Sequence, residues 1–181
     1  MNTVEHLIAR VKDARQSYLH QIQNMSEEQA AWKPTPDVWN VVEITEHLYW
    51  AEQGGILGMW KTLYAIRTAK MDPVLESKYQ NLSIEEIIQR TWKEKEQVPA
   101  VAAPRIGGTL IFWRHALASL QPILDAFGQD LKQDELRFQA QPHPISGPVD
   151  FHQRLEFITF HLKRHEGQVA NLRHNYPTPV N

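Results

Sequence analysis

The sequence predicts an all-α protein in which four long amphipathic helices pack as a bundle. Apolar residues recur every three or four positions in four separate segments, which places them on one face of an α-helix. Two of these segments repeat the steps 3-4-3-4-3, the spacing of an inward-facing seam in a bundle. No segment shows the convincing alternation of apolar and polar residues that a half-buried strand would need. We therefore expect helices that pack on one another around one core.

The composition is that of one ordinary globular domain, and we assign residues 1–181 to it. Hydrophobic residues make up 42% and charged residues 22% of the chain, and a net charge of −2 gives no basic face for nucleic acid. The absence of cysteine excludes disulfides, thiolate metal ligands and a cysteine nucleophile. No apolar run comes near the roughly 18 residues that cross a membrane, and no signal peptide is evident. We therefore expect a cytoplasmic protein without a membrane contact.

The first helix and the loop after it differ in composition. Residues 3–23 carry an apolar stripe, with Arg15 among the polar residues of the opposite face. Residues 24–37 should form a loop, because its two prolines cannot lie inside a helix and hold their predecessors extended. We expect Trp32 in this loop and Trp39 just beyond it to fold back over the core as packing residues.

The second helix is predicted to begin after Asn40 and to continue to about Arg67. Asn40 is a favourable N-cap, and Glu43 at the third helical position completes a capping box. His47 lies on or beside the face that should turn inward. The residues of that face are Ile44, His47, Leu48, Ala51 and Gly55.

The middle of the chain should contain a connection at 69–78, a short helix at 83–97 and a third bundle helix over about 108–127. A Ser-x-x-Glu capping box begins the short helix. Gly128 should close the third bundle helix as its C′ residue. Pro122, in the interior of that helix, should kink it one turn earlier.

The fourth helix, predicted over 150–175, carries two histidines on its inward face. Its seam consists of Leu155, Ile158, Leu162, His165, Val169 and Leu172. His161 borders this seam four residues before His165, so the two imidazoles stand one above the other and can chelate one metal ion. With nine histidines in the chain such a pair also arises by chance, and a core histidine is more often a hydrogen-bonded packing residue.

His47 adds a third inward imidazole, which favours a metal site over packing. Three clustered imidazoles would repel one another if protonated, and a divalent cation removes that conflict. Three protein nitrogens leave a coordination position open, which is typical of catalytic sites. Such a site can activate a bound water or a substrate thiol.

Three further residues are candidates for the surroundings of this site, each with a simpler alternative. Glu43 lies one turn before His47 and could orient its imidazole, although the capping box explains this carboxylate equally well. Arg154 and Gln168 could reach the rim of the site and the substrate, with ordinary solvent exposure as the alternative. No catalytic residue is assigned beyond the metal.

Several motifs resemble, in order, those of the DinB-like superfamily, the damage-inducible and YfiT-like metal-dependent enzymes. They are Trp32-Lys33-Pro34, the run from Trp39 through Glu43 to His47-Leu48, the loop containing His143-Pro144 and Gly147-Pro148, and the run from Phe157 to His161 and on to Arg164-His165-Glu166-Gly167-Gln168. The resemblance covers nearly the whole chain and is weakest over residues 69–107. Asn40 stands where the family commonly has serine.

This resemblance implies a four-helix bundle with a long crossover connection, to which the sequence adds one short extra helix. It also implies a homodimer and a divalent metal, with zinc or nickel expected, held by His47, His161 and His165. Relatives include transferases and isomerases that use a low-molecular-weight thiol, so such a thiol is a candidate co-substrate.

Two functions are then compatible with the sequence. We favour a metal-dependent enzyme that activates a thiol or water to attack a small molecule, as an S-transferase first and a hydrolase second. The alternative is a non-catalytic, stress-related binding or interaction protein whose metal is structural or absent. A protein carboxylate in the fourth coordination position would favour that alternative. The balanced charge argues against DNA binding.

Overall fold

The computed structural model describes residues 3–74, 77–92 and 98–177, and within these ranges it confirms the all-α fold, with no β-strand. The α-helices in chain order are α1 (Thr3–Ile22), α2 (Glu27–Ala31), α3 (Val41–Arg67), α4 (Ile84–Thr91), α5 (Leu110–Ala118), α6 (Leu120–Asp130) and α7 (Phe151–Asn175). A short 3-10 helix covers Gln133–Glu135. Among the helices described, none combines the length and the hydropathy that are needed to cross a membrane.

Four helical units form the bundle: α1, α3, the α5–α6 pair and α7. α1 lies along α7, and α3 packs against α5, α6 and α7, so the two longest helices contact each other in the core. The connection from α3 to α5 is long and carries α4, the short extra helix expected. α4 packs on α7 outside the bundle, where Ile84, Ile87 and Phe157 share a second apolar cluster.

Reciprocal capping boxes begin the two longest helices, as predicted for α3. Asn40 Oδ1 accepts from the Glu43 N–H at 2.9 Å, and Glu43 Oε2 accepts from the Asn40 N–H at 2.9 Å. Asp150 and Gln153 make the same pair of bonds at the start of α7. Such caps satisfy backbone donors that have no partner within the helix, and so fix where each helix begins.

The prediction of an uninterrupted loop over 24–37 is wrong, because α2 forms inside it. Ser26 Oγ accepts from the Gln29 N–H at 3.1 Å, and Gln29 Oε1 accepts from the Ser26 N–H at 3.1 Å. This capping box precedes the two prolines, which restrict only the residues after α2 ends.

The predicted helix over 83–97 is shorter than expected. It ends at Thr91, because Trp92 takes an extended conformation with ψ at 146°. Residues 93–97 lie outside the described residues.

The third bundle helix is divided in two and is not closed by Gly128. The division falls at Ser119, between α5 and α6, three residues before Pro122, which has no N–H to bond to a carbonyl one turn earlier. Gly128 lies inside α6, which continues to Asp130. A Cβ on this glycine would meet Ile8 Cγ1 at 2.6 Å, so the residue serves close packing of α6 on α1.

Arg15, predicted on the polar face of α1, is instead buried in an ion pair with Glu52 of α3. Each residue is 2% exposed. Arg15 Nε donates to Glu52 Oε2 at 3.2 Å, and Nη1 donates to Gln121 of α6. Burial raises the pKa of Glu52, and the adjacent guanidinium opposes that rise. These polar contacts join α1, α3 and α6. Helical periodicity alone predicts that Arg15 is exposed to solvent, because it lies opposite the apolar stripe of α1.

Removing one partner of this pair should destabilise the fold more than removing both. Arg15→Met leaves the Glu52 carboxylate buried without its cation and should lower the free energy of unfolding by about 3–5 kcal/mol. The double variant with Glu52→Leu should lose much less, because apolar replacement of a buried pair is often neutral. Urea unfolding measures both values. The control is Arg10→Met on α1, whose side chain is 40% exposed and lies 3.7 Å from Glu156 of α7, and which should cost under about 1 kcal/mol. A double variant as unstable as the sum of its single variants would contradict the assignment.

Candidate metal centre

Three buried histidines from two facing helices meet between α3 and α7. His161 Nε2 lies 3.1 Å from His47 Nε2 and 3.1 Å from His165 Nε2. None of the three residues is more than 5% exposed. They form the one group of three or more potential metal ligands found in the part of the chain that the structure describes. The three histidines singled out in the sequence are therefore brought together in space.

The backbone of Ala102 fixes the tautomer of His47. His47 Nδ1 lies 2.8 Å from the Ala102 carbonyl oxygen. A carbonyl oxygen can only accept, so Nδ1 carries the proton of the neutral ring and Nε2 retains its lone pair. The unprotonated nitrogen is the one that faces His161.

The side chain of Gln168 fixes the tautomer of His165 in the same way. The Gln168 carboxamide oxygen lies 2.8 Å from His165 Nδ1, which leaves a lone pair on Nε2. His161 Nε2 therefore faces two lone pairs, and it can donate a proton to only one of them. A cation among the three nitrogens would use all three lone pairs.

Burial keeps the three imidazoles neutral, which is the form that binds a metal. Burial lowers the pKa of His47, and the hydrogen bond to Ala102 opposes this in part. Burial, together with the neighbouring histidines, lowers the pKa of His161 well below its usual value. Burial also lowers the pKa of His165 to about 3.

The spacing of the nitrogens suits a first-row divalent metal. Bonds of about 2.0–2.1 Å from nitrogen to zinc place neighbouring ligand atoms roughly 3.3 Å apart in a tetrahedron and about 3.0 Å apart in an octahedron. The two separations of 3.1 Å that involve His161 lie between these values, and the three ligand atoms all lie within 4.8 Å of one another. The residues present fit such an ion and would leave at least one position for an exogenous ligand.

A buried carboxylate holds the loop that supplies Ala102. Glu46, the residue before His47, accepts from the backbone N–H groups of residues 105–107 at 2.7–2.9 Å and from the Trp50 indole at 3.1 Å. Burial alone would raise the pKa of Glu46, but these hydrogen bonds lower it on balance. One turn of α3 thus contributes a candidate ligand and also the anchor of the loop that orients it.

Glu43, a candidate for orienting His47, has other partners in the structure. Its carboxylate accepts from the Asn40 backbone at 2.9 Å and from Lys33 Nζ at 2.7 Å. The capping role considered in the sequence therefore accounts for it, and Ala102 takes the orienting position.

The other two rim candidates lie in the wall of one large cavity with the three histidines. This cavity has a volume of about 1210 Å³. Gln168 reaches it beside His165, as described above. Arg154 is 6% exposed and does not project into solvent, which was the alternative for it.

The sequence did not assign three further cavity residues, two of which pack directly on the histidine cluster. The Trp39 ring lies 5.1 Å from that of His47, and the Phe157 ring stacks on His161 at 5.3 Å. His143 is buried with its ring 4.1 Å from Phe157. The His-Pro motif of the loop was the available signal for His143, and only packing was expected of Trp39.

A tight turn sets the protonation of His143. Its Nδ1 accepts from the backbone N–H groups of Ile145 at 3.2 Å and Ser146 at 3.0 Å, so Nε2 carries the proton. Gly147 closes the turn with φ at +76°, a conformation that favours glycine. Burial, and secondly the Arg154 charge, lowers the pKa of His143 to about 3. This histidine is thus a neutral hydrogen-bond donor in the cavity wall.

Comparisons with known proteins agree with this architecture. The sequence model of the DinB superfamily matches residues 10–169, a span that contains all three clustered histidines. The crystal structure of a conserved protein from Enterococcus faecalis aligns over 96% of each chain with a TM-score of 0.61 and 14% sequence identity. Identity at this level indicates a common fold and nothing more. A search of curated proteins found no match.

The metal-free protein should lose stability as the pH falls from 7 to 5. The unfolded chain takes up protons on histidine near pH 6.5, whereas His143 and His165 in the folded state do so only near pH 3. The unfolded state then binds more protons, and each of these two residues should cost about 2 kcal/mol over this interval. Urea unfolding in the presence of a chelator measures the trend. His165→Asn should flatten it, and His174→Asn, at an exposed position, should not. Stability that stays constant or rises on acidification would contradict the neutral cluster.

Proposed function

Since the chain belongs to the DinB superfamily and its three buried histidines converge on one point, we propose that it is a metal-dependent enzyme acting on small molecules. The observation that carries this proposal is the convergence of three neutral Nε2 atoms in the wall of a large cavity. A purely structural cation would be expected to have a fourth protein ligand. No carboxylate belongs to the cluster among the described residues, which favours catalysis over the non-catalytic alternative.

Each residue of the cluster has a defined part in this proposal. His47, His161 and His165 would hold a divalent ion, with zinc or nickel as the expected ions. When bound, that ion favours the deprotonated form of a thiol or a water. Ala102 and Gln168 keep two of the imidazoles in the tautomer and orientation that the ion needs. Trp39 and Phe157 pack on His47 and His161 and would limit the access of bulk water.

We favour transfer of a low-molecular-weight thiol to an electrophile over hydrolysis. The sulfur would form a bond to the electrophilic carbon, the leaving group would depart with the bonding electron pair, and the thiol proton would pass to solvent or to the leaving group. The volume of about 1210 Å³ supports this order, because it exceeds the roughly 300–1,000 Å³ of a site for one small ligand. A thiol and an electrophile could therefore occupy it together.

Metal content tests the ligand assignment. Wild-type protein, loaded and dialysed, should retain about one divalent ion per chain by elemental analysis, because three neutral nitrogens match the ligand number of an open zinc site. His165→Ala should lose most of it, and His174→Ala, an exposed histidine of the same helix, should keep it. Circular dichroism shows whether each variant is folded. A folded His165→Ala protein with full metal content would contradict the site, and a lack of metal-dependent turnover across thiols and electrophiles would contradict the enzyme.

We also propose that the protein forms a homodimer through the outer face of α3. Leu57, Trp60 and Tyr64 are 53%, 44% and 62% exposed and lie at the helical spacing of one face. Exposed apolar groups of this size on one face are typical of interaction surfaces.

Light scattering tests this interface. The wild type should give twice the mass of one chain, and so should the control variant Gln16→Glu, which adds a charge on α1. Trp60→Glu should give the chain mass, because it places a charge in the interface. A monomeric wild type, or a dimeric Trp60→Glu, would exclude this interface.

A further inference from the structure

Arg154 is a buried cation without a protein anion beside it. It is 6% exposed, and its Nε and Nη1 atoms have no hydrogen-bond partner among the described residues. No aspartate or glutamate in the described part of the chain forms an ion pair with it. Burial lowers its pKa to about 10, so the guanidinium remains charged at neutral pH. A buried, unpaired charge opposes folding, and its presence calls for a partner from outside the chain.

The guanidinium lies in the wall of the cavity that contains the three histidines. A Cβ on Gly55 would lie in ordinary van der Waals contact with Arg154 Nη2, at 3.5 Å, so the guanidinium lies against α3 at this glycine. Arg154 lies 5.6 Å over the Phe157 ring, which in turn stacks on His161. Seven residues separate Arg154 from His161, or about 10 Å along the helix axis. The Phe157 ring lies between the two ends of this span.

Other cavity residues add to the positive potential. Arg105 and Arg164 also belong to the lining, and Asp37 is the one acidic residue of that lining among the described residues. His143 contributes a neutral N–H donor on the side of Phe157. A metal ion at the histidines would raise the potential further. The positive charges and the N–H donor in the cavity wall therefore favour the binding of an anion.

A carboxylate suits this position best. Its two oxygens accept parallel N–H bonds from one guanidinium, a pairing that gives orientation as well as affinity. Resting on the function proposed above, we propose that the thiol bound at the histidine centre carries a carboxylate at the end remote from sulfur, and that Arg154 binds this carboxylate. Arg154 would then be a specificity-determining residue.

Thiol binding to cobalt-loaded, full-length protein tests this proposal without an activity assay. Coordination of a thiolate to Co²⁺ produces a charge-transfer absorption band, which titrations with 6-mercaptohexanoate and with 6-mercaptohexanamide would follow. The two thiols differ in charge and match in length. The carboxylate should bind the wild type at least about tenfold more tightly than the amide, as expected for a charge-assisted bidentate pair.

Variants then assign that preference to Arg154. Arg154→Gln should remove it while the amide still binds, and Arg154→Lys should retain part of it. Lys163→Gln is the matched control, because it removes one positive charge at an exposed position of the same helix outside the cavity lining, and it should leave the preference unchanged. Equal binding of both thiols to the wild type would overturn the carboxylate assignment alone. A complete lack of a thiolate band would instead overturn the thiol function and, with it, this inference.

Thermal unfolding without ligand separates recognition from a structural role. Loss of an unpaired buried charge should leave the Tm of Arg154→Gln unchanged or higher. A lower Tm together with an unchanged carboxylate preference would show that the guanidinium serves the fold, and would overturn the proposal.

Discussion

The hydrogen bond between His47 Nδ1 and the Ala102 carbonyl oxygen determines what the histidine cluster can do. Because the oxygen can only accept, it forces the proton onto Nδ1 and leaves the inward nitrogen bare. Gln168 imposes the same arrangement on His165. His161 Nε2 lies 3.1 Å from both of these bare nitrogens and can donate a proton to only one of them. A cluster of packing histidines would instead alternate donors and acceptors, so this arrangement supports the proposed cation.

Much of the surrounding structure serves this one contact. Glu46 holds the loop of Ala102 through three backbone bonds, and it stands beside His47 on the same turn of α3. The α7 side of the site is equally constrained, because its helix begins at a reciprocal capping box and its inward face carries Arg154, Phe157 and His161 in succession. The cavity thus has the three histidines at one end and the Arg154 guanidinium at the other, with the Phe157 ring between them. A buried, unpaired charge lowers the stability of the fold. Proteins keep such destabilising groups mainly at binding sites.

The sequence predicted the long helices and the three histidines because both depend on local periodicity. A seam of apolar residues specifies which side of α7 faces inward, and His165 lies in that seam. The contribution of Ala102 could not be predicted, since it depends on how a distant loop returns to α3 and involves a backbone atom. Arg15 was misplaced for a related reason: its partner Glu52 lies 37 residues away, and periodicity says nothing about pairs of buried charges. Glycine is common just beyond the end of a helix, and the sequence therefore predicted a helix end at Gly128. In the structure this glycine instead allows the close approach of α1.

The central claim is that His47, His161 and His165 hold one catalytic cation with an open position. Anomalous diffraction from crystals of the metal-loaded protein tests it most directly. The account predicts one peak per chain, about 2.0–2.2 Å from the three Nε2 atoms, with the remaining coordination completed by water or a small molecule. A loaded protein whose peak lies elsewhere, or whose fourth ligand is a carboxylate of the chain, would contradict it.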